Sequence, residues 1–181
     1  MRLAWHRPRL PEDRRVLEEV IFVHYRRDPR IRTVLFVGCA SYTAHYQDRH
    51  FACHDYWTLD AELAQRRFGA RQHVTARLET LTTHFPLRYF DLIICNGVYG
   101  WGLNRREDCE TAFTQCAACL AVGGQLVLGW NDLPKWDPAP LAEVRSLAEF
   151  AEEMFPPLGT CRYVTGTPYR HTYNFYRNKA L

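Results

Sequence analysis

Regular alternation of apolar, strand-forming runs with helical patterns is the feature of this sequence that most restricts its fold. The strongest runs are TVLFV at residues 33–37, YFDLIICN at residues 89–96 and QLVLGW at residues 125–130. Such runs are typical of strands buried on both faces, as in a parallel sheet covered by helices. Weaker strands are predicted in CHDYWTL, which ends before Asp60, and in QHVTA at residues 72–76. The alternation predicts an α/β fold with a doubly wound sheet, in which ligands bind at the carboxyl ends of the strands.

Helices are predicted between these strands, where apolar residues recur with helical spacing. Pro11 suits the first position of the first helix. Gly123-Gly124 is a C-terminal signal for the helix before the fifth strand, and Pro156-Pro157 closes the last helix. The predicted helices cover residues 11–27, a short segment from about residue 43, and residues 61–68, 105–121 and 140–155.

The end of the chain changes character. CRYVTGTPYRHTYNFYRN at residues 161–178 alternates between side-chain types and is rich in Tyr, Thr and Phe, and GTP at residues 166–168 separates two strand-like runs. This pattern predicts an antiparallel hairpin. Together with the five earlier strands, it gives a mostly parallel, seven-stranded sheet with an antiparallel C-terminal hairpin. The length favours one domain, residues 1–181, with a helical segment at 1–32 and a Rossmann-like core at 33–181.

Composition and charge argue against several classes of protein. The chain has 23 basic and 20 acidic residues, and this net charge of +3 is too small to indicate a nucleic-acid partner. Nine arginines against five acids in residues 1–32 leave an anionic partner open. No apolar run reaches the roughly 18 residues of a membrane-spanning helix. The N-terminus lacks the pattern of a signal peptide, so a cytoplasmic protein without a membrane partner is expected.

The seven cysteines predict reduced, mostly buried thiols, because their number is odd and their surroundings are apolar. Cys116 and Cys119 form a C-x-x-C pattern, but helical spacing puts both sulfurs on one apolar face, without a second ligand pair nearby. Strand alternation points Cys53 and His54 to opposite faces. The sequence therefore predicts no metal site.

Three features fall at the carboxyl end of the predicted sheet. GCAS at residues 38–41 follows the first strand, and its small residues let a ligand pass close to the backbone. Asp60 closes the second strand, and an acid about 20 residues past the first turn is placed to accept ribose hydroxyls. NGVYGW at residues 96–101 follows the fourth strand and offers flexible backbone and aromatic walls. NAD-binding domains share the early features, but the antiparallel hairpin after the last helix favours a different family.

Over essentially its whole length the chain resembles the class I S-adenosylmethionine-dependent methyltransferases. VLFVGCASYT matches the glycine-rich first motif of that family, YWTLD its second strand with the ribose-binding acid Asp60, and FDLIICNGV its fourth-strand motif. CLAVGGQLVLGW matches the helix-Gly-Gly-strand signature, and HTYNFYR resembles the terminal antiparallel strand. The resemblance implies the class I methyltransferase fold, S-adenosylmethionine as cofactor and S-adenosylhomocysteine as product.

The first motif departs from the family pattern. Phe36 stands where the family has an acid, and Ala40 and Tyr42 replace the second and third glycines. Arg77 stands where an acid commonly contacts the adenine amino group, so adenine recognition is expected at the backbone of Leu78. We interpret the loop as an altered but working lining, in which the lost acid is compensated elsewhere.

The methionine end of the cofactor has several candidate partners. Tyr42 and His45 offer hydrogen bonds from the first loop, and Asn96 offers its backbone carbonyl; Tyr42 alternatively marks the start of a helix. The resemblance thus implies cofactor contacts from Gly38, Cys39, Ala40, Tyr42, His45, Asp60, Arg77, Leu78, Asn96, Gly97 and Val98.

Methyl transfer requires alignment of the acceptor, exclusion of water and sometimes a base. Candidates for the base or for acceptor contacts lie in loops at the same end of the sheet. Asp132 either faces the acceptor or is a turn residue, and Tyr99 and Trp101 are either an acceptor wall or packing residues. Tyr46 is the further candidate.

The class of acceptor follows from what the motifs lack. The fourth motif is not the Asn/Asp-Pro-Pro-aromatic type of the DNA N-methyltransferases, and nothing suggests the paired metal-binding acids of a catechol-type enzyme. A small-molecule acceptor is expected, with O-, N- and S-methylation left open. The alternatives are an RNA- or protein-directed methyltransferase that uses the basic first helix, and a non-catalytic scaffold subunit with a degenerate first motif. The sequence gives no signal for an oligomeric state.

Overall fold

Eight strands are present in residues 10–137 and 140–179, the part of the chain that the computed structural model describes. They are β1 (Thr33–Val37), β2 (Asp55–Asp60), β3 (Gln72–Thr75), β4 (Phe90–Asn96), β5 (Leu120–Asn131), β6 (Phe150–Glu152), β7 (Arg162–Val164) and β8 (His171–Asn178). They form one sheet in the order β3-β2-β1-β4-β5-β8-β6, and β7 also pairs with β8. β1 to β5 pair in parallel, whereas β8 is antiparallel to β5, β6 and β7. The predicted doubly wound, mostly parallel sheet with an antiparallel C-terminal hairpin is confirmed.

The helices are shorter than the sequence pattern predicts. α1 (Glu12–Arg15), a π-helical stretch (Val16–Ile21) and α2 (Phe22–Tyr25) follow one another directly, and we call this continuous segment the N-terminal helix. α3 (Tyr46–His50) and α4 (Arg106–Cys119) are the remaining α-helices of the described residues. Short segments of 3₁₀-helix occur at Ser41–Thr43, Leu63–Phe68, Leu78–Thr83, Pro134–Trp136, Leu141–Glu143 and Arg145–Glu149. None of the described helices combines the length and the apolar character that crossing a bilayer requires.

The long helix predicted at residues 140–155 is wrong. This segment forms 3₁₀ turns and then β6, which pairs with the end of β8. Phe150 packs in the core on one face of the sheet and Phe155 in the core on the other face, so the chain here passes around the sheet edge. The seventh position of the sheet is consequently shared by two short strands, β6 and β7, beside one long β8.

Two apolar cores cover the two faces of the sheet. Along β1, Leu35 and Val37 belong to the core that contains α4, whereas Val34 and Phe36 belong to the core that contains the N-terminal helix. This alternation follows from the two-residue period of a strand. The predicted α4 ends at Cys119, four residues before the glycines, because β5 begins at Leu120. The site lies at the carboxyl ends of the parallel strands, and residues of the α4 core such as Val37 and Leu59 also line it.

Candidate active site

A cavity of about 490 Å³ opens at the carboxyl ends of β1, β2 and β4. β1 and β4 are neighbours in the sheet, and the chain leaves them toward opposite sides, so the cavity lies at the switch point where ligands bind in such folds. Its volume is in the ordinary range for small-molecule sites. The lining residues are Val37, Gly38, Cys39, Ala40, Tyr42, Leu59, Asp60, Ala61, Glu62, Gln65, Ala76, Arg77, Leu78, Glu79, Asn96, Gly97, Val98, Trp101, Gly102, Leu103 and Asn104.

Gly38 forms a tight bend directly after β1. Its φ of +97° lies in the left-handed region, where a side chain is strained. A methyl group built on Gly38 would overlap the carbonyl oxygen of Asn96, so the bend packs directly against the last peptide of β4. The Gly38 amide donates a hydrogen bond to the carbonyl of Leu59 at 3.0 Å. The bend is therefore fixed by the ends of both neighbouring strands.

Asp60, the last residue of β2, holds the loop after β1. Its Oδ2 accepts a hydrogen bond from the Cys39 amide at 2.7 Å, and its Oδ1 accepts one from the Glu62 amide at 2.8 Å. Burial, together with the nearby carboxylate of Asp60, raises the pKa of the Cys39 thiol to about 12. Cys39 is therefore a neutral lining residue, not a nucleophile.

Phe36 occupies the position at which the family has an acid, and it does not line the cavity. It is fully buried in the core beneath the N-terminal helix, with its ring 6.1 Å from that of Phe22 and 5.4 Å from that of Tyr46. An acid at this position would be buried among aromatic rings. The loop is held from β2 by Asp60 instead, which agrees with the interpretation that the lost acid is compensated elsewhere.

Arg77 lines the opposite side of the cavity, after β3. Its guanidinium is paired with Glu79 and lies 3.5 Å from the Asp108 carboxylate, while Leu78 beside it is buried. Glu79 also lines the cavity and was missed in the sequence, as were Glu62 and Gln65. Acids that follow a strand end by a few residues, as in LDAE and TARLET, are the signal that identifies Glu62 and Glu79.

The loop after β4 brings an aromatic pair to the cavity. Trp101 lines the cavity and is 54% exposed, and its ring stacks on Trp136 with centroids 4.0 Å apart. Gly100 has a φ of +81°, and a methyl group there would overlap the Trp136 carbonyl. The loops after β4 and β5 are thus packed together at the cavity mouth. One face of the Trp101 ring is covered by Trp136.

The N-terminal helix contacts one cavity residue, Tyr42, through the side chain of Arg14. Tyr42 lines the cavity, and the guanidinium of Arg14 lies 4.4 Å from its ring centroid, a cation–π contact. His45 does not line the cavity, although the sequence predicted it as a cofactor residue. Its Nε2 lies 3.7 Å from the buried carboxylate of Glu18 on the N-terminal helix. All the other residues predicted to contact the cofactor lie along the cavity wall.

Tyr46, Tyr99 and Asp132, the predicted acceptor-side residues, are all described, and none of them lines the cavity. Tyr46 is fully buried and donates a hydrogen bond to Glu18 at 3.1 Å. Burial, and next the Glu18 carboxylate, raise the pKa of Tyr46, so the hydroxyl stays protonated. Tyr99 is also fully buried, and its hydroxyl bonds to Asp137. A residue near a strand end reaches the cavity only if its side chain points toward it. The side chains of Tyr46 and Tyr99 point into the protein core instead.

Asp132 follows β5 at the same end of the sheet. Its Oδ2 lies 2.7 Å from Arg162 and 3.2 Å from Arg170, so this carboxylate is engaged in ion pairs with β7 and with the residue before β8. The acceptor-side role assigned to Asp132, Tyr46 and Tyr99 stays a prediction, and their contacts give it no support.

One group of side chains has the composition of a metal site. Single ligand atoms of Glu18, His45 and His50 lie within 4.8 Å of one another. The guanidinium groups of Arg14 and Arg49 lie 3.3 and 3.5 Å from the same carboxylate and already balance its charge. A divalent cation there would be repelled by both arginines. The absence of a metal stays a prediction.

The chain is similar to several known methyltransferases. The sequence family described as "Methyltransferase domain" matches residues 35–128, more than half of the chain. No curated protein matches. Among solved structures, the N-methyltransferase NodS from Bradyrhizobium japonicum WM9 is similar with a TM-score of 0.67 at 15% identity, over 93% of this chain and 98% of that one. NodS in complex with S-adenosyl-L-homocysteine matches with a TM-score of 0.60 at 18% identity, over 83% and 79%.

Two further solved structures show the same fold. A TehB-like SAM-dependent methyltransferase from Corynebacterium glutamicum matches with a TM-score of 0.65 at 17% identity, over 94% of this chain and 89% of that one. The magnesium protoporphyrin IX methyltransferase ChlM from Synechocystis PCC 6803, with bound SAM, matches with 0.66 at 12% identity, over 92% and 80%. The family match, the motifs and the position of the site at the switch point agree with one another. The chain therefore belongs to the methyltransferase domain family and is an S-adenosylmethionine-dependent methyltransferase.

Proposed function

We propose that the protein transfers the methyl group of S-adenosylmethionine to a small-molecule acceptor, and that the cavity at the ends of β1, β2 and β4 holds the cofactor. The cavity fits such a ligand because it combines a bend without a side chain at Gly38 with a carboxylate at Asp60. The ribose hydroxyls of a nucleoside need a hydrogen-bond acceptor, and the rest of the ligand must pass close to the protein backbone at the bend. When bound, the cofactor supplies an electrophilic methyl group.

The lining residues have separate tasks in this proposal. Asp60 accepts hydrogen bonds from the ribose hydroxyls while it keeps those from the backbone amides of Cys39 and Glu62. The backbone at Leu78 meets the adenine edge, because the neighbouring Arg77 guanidinium is engaged with Glu79. Asn96 offers its backbone carbonyl beside Gly38 to the amino group of the methionine tail. Tyr42, covered by Arg14, excludes water from the same end.

The observation that we take to favour a small acceptor is the attachment of the start of the N-terminal helix to the β7–β8 hairpin. Glu12 accepts hydrogen bonds from the Gly166 amide at 2.8 Å and from the Tyr163 hydroxyl at 3.2 Å, both in the β7–β8 hairpin. The backbone carbonyl of Asp13 accepts one from Tyr173 of β8 at 2.9 Å. The helix is thereby tied across the end of the sheet next to the cavity. A helix fixed beside the cavity, where Arg14 contacts Tyr42, restricts the space for an acceptor and favours a compact molecule over a segment of RNA or protein.

The name of one structurally similar protein agrees with a small acceptor. ChlM is a magnesium protoporphyrin IX methyltransferase, and NodS is an N-methyltransferase. The identities of 12% and 15% carry the fold alone, so we take neither acceptor as that of this protein. The atom that is methylated is left open in the proposal.

The test is a transfer assay with S-adenosylmethionine carrying a labelled methyl group. A cell extract is divided into a low-molecular-weight filtrate, RNA and protein, and each fraction is incubated with the enzyme. Label is expected in the filtrate and should fall strongly at low cofactor concentration when Asp60 is replaced by Ala. Label that accumulates in RNA or protein, and not in the filtrate, contradicts the small-molecule proposal while leaving the methyltransferase activity standing.

A further inference from the structure

Polar side chains near the cavity join β4, β5 and β8 at the carboxyl end of the parallel strands. Asn96 ends β4, Asn131 ends β5 and His171 begins β8. The Nε2 of His171 lies 3.0 Å from Oδ1 of Asn96, and its Nδ1 lies 2.8 Å from Oδ1 of Asn131. All three residues are at most 9% exposed. The antiparallel strand β8 is therefore connected through side chains to a residue that lines the cavity.

Gly129 makes this connection possible. β5 lies between β4 and β8, and Gly129 is the residue of β5 that pairs with Asn96 on one side and with Tyr173 on the other. A methyl group on Gly129 would overlap Oδ1 of Asn96. The missing side chain at this position leaves the space through which Asn96 extends across β5 to His171.

The imidazole of His171 is neutral under ordinary conditions. Burial lowers the pKa of His171 to about 4, and Asp13, its charged neighbour from the N-terminal helix, opposes this shift only in part. A neutral ring carries one N–H and can donate to only one of the two Oδ1 atoms, so the amide of the other asparagine must be turned to donate its Nδ2 hydrogen to the ring. The orientation of each asparagine side chain is therefore determined by the tautomer of the ring.

We propose that His171 is a positioning residue for methyl transfer, which fixes Asn96 and thereby the wall of the cofactor cavity next to Gly38. The backbone carbonyl of Asn96 lies against the bend at Gly38, so a shift of the Asn96 backbone after loss of its side-chain contact changes the shape of that wall. His171 is fixed by Asn131 of β5 and in turn contacts the side chain of Asn96 on β4. β8 lies beyond β5, so this contact reaches Asn96 from the side of the sheet away from β1 and β2. The inference rests on the proposed assignment of this cavity to the cofactor, and does not depend on the acceptor.

The test measures binding of S-adenosylhomocysteine by calorimetry, which needs no acceptor. His171→Ala removes the contact to Asn96, and we expect affinity to fall about tenfold, as is typical when a buried hydrogen-bonding group loses its partner. Gly129→Ala displaces Asn96 while leaving His171 in place, and we expect a similar loss. His171→Gln keeps an amide that donates and accepts, so it should restore most of the affinity. His50→Ala is the matched control, because His50 is a buried histidine whose ring bonds to none of the described residues and which does not line the cavity.

Nitrogen NMR of the wild-type imidazole provides the second measurement. We expect a single ring proton on His171 and no titration between pH 5.5 and 8, in line with a pKa of about 4. Folded His171→Ala protein that binds S-adenosylhomocysteine within twofold of wild type overturns the inference and leaves the cofactor assignment standing. If instead the wild type does not bind S-adenosylhomocysteine, the assignment of the cavity fails and the inference fails with it. If His171→Ala does not fold, the His171→Gln and Gly129→Ala affinities decide.

Discussion

At the scale of single residues, Gly38 shows how one position serves both the fold and the site. A side chain there is penalised twice, by its φ of +97° and by overlap with the carbonyl of Asn96. We expect Gly38→Ala to lower the free energy of unfolding by about 3 kcal/mol, combining left-handed strain with overpacking. Urea denaturation measures this, and binding of S-adenosylhomocysteine should weaken in parallel.

Gly159 is the matched control for that substitution. Its φ is +63°, but a methyl group built there meets no atom of residues 10–137 or 140–179 within 4 Å. Gly159→Ala therefore experiences the backbone strain alone, about 1 kcal/mol, and should leave binding unchanged. Equal losses for the two variants would show that the close approach to Asn96 has no energetic weight.

Asp60 is the second residue for which one side chain has two tasks. It accepts backbone hydrogen bonds from Cys39 and Glu62 and, in the proposed function, the ribose hydroxyls. We expect Asp60→Ala to weaken binding of S-adenosylhomocysteine by about 10- to 100-fold, because hydrogen bonds to a charged group are each worth about 1.5–3 kcal/mol. Asp60→Asn, which keeps one oxygen, should lose less. An affinity unchanged in Asp60→Ala contradicts the ribose assignment.

At the scale of elements, the N-terminal helix is held to α3 by one buried carboxylate. Glu18 is 1% exposed and contacts Arg14, Arg49 and the Tyr46 hydroxyl. Glu18→Gln keeps the shape and the tyrosine contact but leaves two guanidinium groups without their counter-charge. We expect a loss of about 1–2 kcal/mol in urea denaturation, limited because both arginines reach solvent. Glu19→Gln, at the neighbouring exposed position, is the control and should be neutral.

Elements buried on both faces were predictable from the sequence, and elements at the sheet edge were not. TVLFV and FDLIICN have no polar face, so burial on both sides was the only consistent reading, and the residues after them had to meet at one end. The placement of Gly38 and Asn96 follows from that argument, and that of Asp60 from its distance of about 20 residues past the first turn. The segment at residues 140–155 has apolar spacing compatible with a helix, but pairing of β6 with β8 determines its structure. That pairing joins distant parts of the chain, and local spacing does not encode it.

Side-chain direction was the other limit of the sequence. Tyr46 and Tyr99 follow the first and fourth strands closely, and this proximity alone suggested that they reach the site. In the structure both are fully buried and are bonded to acids, Glu18 and Asp137. Trp101, two positions after Tyr99, is the one that lines the cavity. Which residue of an irregular loop turns outward depends on backbone angles such as the positive φ of Gly100.

At the scale of the whole molecule, buried histidines make stability depend on pH. Burial, and next the guanidinium of Arg49, lower the pKa of His50 to about 4, whereas in the unfolded chain it is near 6.5. Between these values the unfolded chain binds more protons than the native one, so stability rises with pH there. The contribution is fully present above about pH 6.5 and is lost as the pH falls toward 4. At 1.36 kcal/mol for each pKa unit, it amounts to about 3 kcal/mol.

We expect the free energy of unfolding of the wild type to fall steeply between pH 6.5 and 4, since His171 titrates in the same direction. His50→Phe places a ring of similar size among the rings of Phe22, Tyr46 and Phe51 and removes the group that must be protonated. Its loss over this range should be smaller by about 3 kcal/mol. His84→Ala, at an exposed position, should follow the wild-type curve. If His50→Phe also follows that curve, the acid sensitivity arises outside the aromatic core, at the other histidines whose pKa is lowered by burial, His54, His73 and His171.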